Sequence, residues 1–141
     1  MTQLHQFIFA HWGLVAAFVL VAIALVVNEY SDRFLGIRFC SPADLVLLIN
    51  RKNAKVIDIR DASLFKKGHI AGAMSIPFNH FPQSEHKLQK HTLDLCVLCC
   101  ANGQESVKAA RLLHKQGFSD LLCLKGGILA WVGASMPLVK S

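Results

Sequence analysis

Charge is missing from the start of this 141-residue chain: Phe7 to Val27 contains no charged residue, and no Lys or Arg precedes Arg33. Only His11 and Gly13 fall outside the apolar set there, and as one helix the run would be about 31 Å long, matching a hydrocarbon core of about 30 Å. A cleaved signal peptide needs a basic residue ahead of its apolar run and a small-x-small site behind it, and neither is present. The expectation is therefore a short tail over 1–6 and an uncleaved transmembrane helix over 7–28, with Trp12 and Tyr30 near its ends. All 15 Lys and Arg residues follow Asp32, so the positive-inside rule puts the rest of the chain in the cytoplasm.

Other absences narrow the function. No basic run is interleaved with aromatics, so the net charge of +6 does not point to nucleic acid. Five cysteines are an odd number without a paired framework, and the expected compartment is reducing, so the thiols are free. Cys96, Cys99 and Cys100 have no Cys/His pair at zinc-like spacing elsewhere, so no metal is expected. No Cys is followed at phosphatase spacing by an Arg to clamp phosphate; counted from Cys100, that residue is Ser106. No internal repeat or low-complexity segment is found.

What is present, after a linker over 29–39, is an alternation of short apolar runs and helical stretches from residue 40 to 141. Ser41 and Pro42 open a helix through about Asn50. Ala54–Ile59 reads as a strand, Ala62–Lys67 as a short helix, and Ala73–Ile76 as a strand after a Gly-containing turn. Phe78–Lys90 reads as loop with a helical turn. Leu93–Cys99 is apolar enough for a central strand covered on both faces. Ser106–Gly117 reads as a helix, Leu121–Leu124 as a strand and Gly126–Val132 as a last helix. Such alternation implies parallel crossovers and an α/β sandwich around one sheet.

That order puts CVLCCANGQES, Cys96 to Ser106, where a strand ends and a helix begins, the usual place for ligand sites in open α/β sheets. If Cys100 starts the loop, the backbone of Ala101, Asn102, Gly103, Gln104 and Glu105 can curl N–H groups around its sulfur. The next helix then aims its positive end there, which stabilises a thiolate or persulfide anion. Cys99 belongs to the strand and points into a sheet face. Cys96 and Cys123 read as small buried hydrophobes, and Cys40 as a linker thiol.

Four motifs occur in order: VIDIR (Val56–Arg60), GHIAGA (Gly68–Ala73), CANGQES (Cys100–Ser106) and LKGGILAW (Leu124–Trp131), with Met136 and Pro137 near the end. They resemble the single-domain rhodanese-like sulfurtransferase family over about Cys40 to Val139. The resemblance implies a three-layer α/β/α sandwich with a mostly parallel central sheet, here preceded by one transmembrane helix. It implies that Cys100 takes sulfane sulfur from a donor and passes it to a thiol or other nucleophilic acceptor, small molecule or protein, with no cofactor. With the anchor included, the chain resembles a small rhodanese-like protein of a bacterial inner (plasma) membrane, domain facing the cytoplasm and a membrane-protein partner possible. One alternative is a catalytically weak module that localises a partner there. Another is a redox relay through Cys99 and Cys100, which adjacent positions on a strand disfavour.

Asp58 and Arg60 are expected to pair near the loop in a structural role, and His69 to hydrogen-bond backbone and fix its turn. Many thiosulfate-using relatives carry Arg or Lys where Glu105 stands, so efficient use of thiosulfate is not expected if its carboxylate faces the pocket. Turned outward, Glu105 would only favour the helix N-terminus.

Overall fold

The structure, a computed structural model, describes residues 2–34 and 36–141. The chain divides into two compact units, Met1–Gly36 and Ile37–Ser141.

The first unit holds α1 (Thr2–Ala10) and α2 (Trp12–Phe34). The single apolar helix expected over 7–28 is broken at His11, whose ring packs tilted against Phe7 with centroids 4.9 Å apart. The His11 carbonyl accepts from Leu14 N–H at 2.9 Å and from Val15 N–H at 3.1 Å, a tightened turn that Gly13 does little to resist. The break shortens the apolar rod: the uncharged part of α2, 12–27, measures about 24 Å against a core of about 30 Å. Among the described residues no helix is long and apolar enough to cross a membrane, so the expected transmembrane span is not found. Apolar side chains nonetheless surround α2. The consecutive residues Phe18, Val19, Leu20 and Val21 are 75%, 46%, 67% and 58% exposed.

The second unit is built on a five-stranded sheet of β1 (Arg38–Cys40), β2 (Lys55–Asp58), β3 (Met74–Ser75), β4 (Cys96–Cys99) and β5 (Leu121–Leu124), in the order β1-β5-β4-β2-β3. Every neighbouring pair is parallel. The linking helices are α3 (Pro42–Lys52), α4 (Ala62–Lys67), α5 (Glu85–Gln89) and α6 (Gln104–Lys115), with α7 (Gly127–Gly133) after β5. Right-handed crossovers in this strand order put α3 and α4 over one face and α5 and α6 over the other, the expected three layers. Leu45 of α3 and Ile128 and Trp131 of α7 join Val56, Val97, Cys99, Leu122 and Leu124 in one buried cluster. β4 lies between β5 and β2, and its four residues are all buried, as a strand covered on both faces should be.

Local signals place several elements. Ser41 Oγ accepts from Asp44 N–H at 3.1 Å while the Asp44 carboxylate accepts from Ser41 N–H at 3.2 Å, a capping box with Pro42 in the first turn. Gly117, at φ 98°, follows α6, and Phe118 N–H returns to Leu113 O at 3.2 Å to close its end.

Three expectations need correction. Cys40 is not a linker thiol: it is buried on β1, which Arg38 opens inside the expected linker and which pairs with Leu122–Leu124. A three-residue edge strand has no pattern of its own, and its pairing comes from across the sheet. Leu35 of that linker lies outside the described residues. α6 starts at Gln104, two residues before the expected Ser106, because Gly103 in the left-handed region turns the chain into it. The strand expected over Leu93–Cys99 is confined to Cys96–Cys99, with Leu93 90% exposed ahead of it, while Phe78–Lys90, expected as loop with a helical turn, holds a 3-10 turn at Phe78–Gln83 followed by α5.

Candidate active site

β4 hands the chain to Cys100 at its C-terminal end, and four residues later α6 has begun. Gly103 N–H donates to Cys100 Sγ at 2.9 Å. Its φ of 92° turns the chain after it into α6, and a Cβ there would sit 3.1 Å from Gly126 N. Asn102 Oδ1 accepts from Gln104 N–H at 3.1 Å and stands 4.0 Å from Sγ. The carbonyls of Cys100 and Ala101 accept from Ile128 N–H and Leu129 N–H of α7, at 2.8 and 3.1 Å. With the carbonyls drawn toward α7, the sulfur meets an amide and the N-terminus of a helix, an arrangement that favours an anion. Gly127 makes that contact possible: at φ 61°, its Cβ would lie 2.3 Å from the Cys100 carbonyl oxygen.

The other four thiols are in different surroundings. Burial pushes the Cys40 and Cys96 thiols up to about 11 and that of Cys123 up to about 12, and holds Cys99 well above the ordinary thiol range. They are protonated and inert at neutral pH.

Asp58 is fully buried at the end of β2, and its carboxylate accepts from Arg60 Nε at 3.0 and 3.1 Å and from Arg60 Nη2 at 2.7 Å. Nη2 also donates to the Gly68 carbonyl at 2.8 Å, tying the pair to the GHIAGA turn. Desolvation works against the guanidinium, but the bonds and charge of Asp58 more than offset it, with Cys99 and Cys100 adding to the raised pKa. His69 Nδ1 lies 2.9 Å from the Phe65 carbonyl, its ring stacked on that of Phe65 with centroids 3.8 Å apart. Its backbone exchanges bonds of 2.9 and 2.8 Å with Val139, so it serves the turn and the C-terminal segment.

Beside the loop opens a cleft of about 300 Å³, lined among others by Arg60, Asp61, Leu64, Phe78, Ala101 and Glu105. Glu105 is among the residues that line this cleft. Cys100 is only 1% exposed and, unlike its neighbour Ala101, is not among the residues lining the cleft. Asn102 and Gln104 are exposed, whereas Ser106 is fully buried in the first turn of α6, its Oγ without a hydrogen-bond partner among the described residues. No group of three or more potential metal ligands occurs among the described residues.

The profile of the rhodanese-like domain matches residues 41–134. The chain belongs to the rhodanese-like domain family. It is 28% identical to YibN of Escherichia coli over 141 residues, 99% of each chain. It is 35% identical to the thiosulfate sulfurtransferase GlpE of Shewanella oneidensis over 88 residues, 62% of this chain and 84% of that one. A rhodanese-related protein of Thermoplasma volcanium superposes with a TM-score of 0.66 at 26% identity, covering 74% of this chain and 99% of that one. In this rhodanese-like domain the first three motifs meet at the β2 and β4 ends, and the fourth braces the loop from behind. Sequence reasoning missed two contributors. Gly126–Gly127 was legible as a motif but not as the platform under the loop. Asp61 and Phe78 carry no local signal for the cleft, because Ala101 and Glu105 join it from the loop and helix that follow β4.

Proposed function

We propose that the chain is a sulfurtransferase or persulfide carrier with Cys100 as its one covalent residue. The observation that carries this reading is the 2.9 Å bond from Gly103 N–H to Cys100 Sγ at the start of α6, the described setting best suited to an anionic sulfur. The Cys100 thiolate attacks the sulfane sulfur of a donor. A new S–S bond forms at Sγ, the donor's own bond to that sulfur breaks, and the donor remnant leaves with the electron pair. The loop amide and helix end hold the persulfide anion. An acceptor thiol then takes the outer sulfur and Cys100 departs as thiolate. Because the sulfur is covered, both partners approach along the cleft at Ala101, and the Glu105 carboxylate makes dianionic thiosulfate a poor donor.

The reading includes a place at the membrane, supported by the uncharged sequence 7–27 and the apolar exposure of α2, with the cytoplasmic side supported by the late Lys and Arg residues.

Intact mass after incubation with polysulfide tests the chemistry. Cys100→Ser should take up no stable extra sulfur, while Cys99→Ser and Cys96→Ser should still gain one atom. Loading that survives Cys100→Ser and disappears in Cys99→Ser would mean that another sulfur carries the cargo.

A further inference from the structure

The cleft beside Cys100 is more negative than its mixed lining suggests. Among the described residues its one cationic lining residue is Arg60, which is neutralised by Asp58 and spends a further donor on the Gly68 carbonyl. Asp61 stands at the N-cap of α4, where a carboxylate ordinarily bonds the first-turn amides, yet its side chain makes no capping bond. Glu105, in the first turn of α6, has no ion pair among the described residues. Two acidic residues without an ion pair among the described residues, Asp61 and Glu105, therefore line the cleft that Ala101 of the Cys100 loop also lines, with Leu64 and Phe78 as an apolar wall. A volume of about 300 Å³ suits a small molecule.

A short apolar stem ending in a cation complements that lining. We propose that the acceptor of the Cys100 sulfur is a small aminoalkyl thiol, selected by Asp61 and Glu105 through its ammonium group. The proposal rests on the reading of Cys100 as the sulfur carrier. In the step, the persulfide anion held by the loop takes up the proton of the acceptor thiol, and the acceptor thiolate so formed attacks the outer sulfur of Cys100–S–SH. The new S–S bond forms on the acceptor, the proton stays on the transferred sulfur, and the bond to Sγ breaks with its electron pair returning to Cys100.

The full chain, in a non-ionic detergent, is loaded with polysulfide and freed of excess, and loss of the added sulfur is followed by intact mass. The acceptors are cysteamine (cationic), 2-mercaptoethanol (neutral) and 3-mercaptopropionate (anionic), with rates expressed per thiolate. At low ionic strength cysteamine should exceed 3-mercaptopropionate by about tenfold or more, with 2-mercaptoethanol between them, and the spread should shrink in salt. In the double variant Asp61→Asn, Glu105→Gln it should fall below about threefold, because the field that sorts the acceptors is gone. A wild-type spread below about threefold, or an equal spread in the double variant, overturns the selection while leaving the carrier intact. Failure of the wild type to load at all overturns the carrier and the selection together.

Discussion

Cys99 and Cys100 are chain neighbours with opposite fates. Strand alternation sends Cys99 into the cluster with Val97, Leu122 and Trp131, and burial keeps it protonated. Cys100 has left the strand and faces the Gly103 amide. The buried thiols have a consequence for stability. Cys40, Cys96 and Cys123 have folded-state pKa values raised from 9.0 to about 11, 11 and 12. Such groups bind their protons more tightly folded than unfolded, so their contribution is whole below about pH 9 and is lost as the pH climbs through 11 to 12. Urea midpoints of the wild type should fall steadily above about pH 9, and those of Cys123→Ala, lower at neutral pH, should fall less steeply. Equal slopes in the two proteins would contradict it. At this scale the sequence already singled out Cys100, because a strand followed by small polar residues and a helix leaves few places for a reactive sulfur. It left the direction of Glu105 open, and Asp61 went unseen, because a side chain's direction depends on partners remote in sequence.

Elements with strong local signals formed where they were expected. Ser41 and Asp44 close a capping box, and Ala62–Lys67 and Leu121–Leu124 have the bounds read from the sequence. β1 was missed because three residues hold no periodicity, and α6 began early because the left-handed residue before it belongs to the active loop. The element most exposed to a single change is the junction of that loop with α7. Gly127→Ala would drive a Cβ to 2.3 Å from the Cys100 carbonyl at a positive φ, so the loop or the helix must move. The expected cost is at least about 2 kcal/mol by chemical denaturation, with slower sulfur loading. Gly133→Ala, where an added Cβ meets nothing within 4 Å, is the control and should be near neutral. Helix propensity favours Ala over Gly at both positions, so a loss after Gly133→Ala as large as that after Gly127→Ala would contradict the close approach to the loop as the source of the cost.

At the scale of the whole molecule, the proposed place at the membrane can be tested on the two units separately. The exposed apolar side chains around α2 would be costly in water and favourable in lipid. Full-length protein is expected in the membrane pellet after alkaline carbonate, whereas Ile37–Ser141 expressed alone should be released. Protease added from the cytoplasmic side only should digest the domain of the full chain. Release of the full chain by carbonate would remove the membrane from the proposed function. By itself the sequence determined the α/β alternation, the apolar start, the four motifs and the place of the Cys100 loop between a strand and a helix, since these follow from hydrophobic period, capping residues and local turn chemistry. Only the tertiary structure decided the break at His11, the burial of Cys40 on an edge strand, the support of the loop by Gly127 and the placing of Asp61 and Glu105 on one cleft. The first three depend on ring packing, backbone pairing or close approach and the last on two elements brought to one end of the sheet, and pattern alone does not bring most of these residues together.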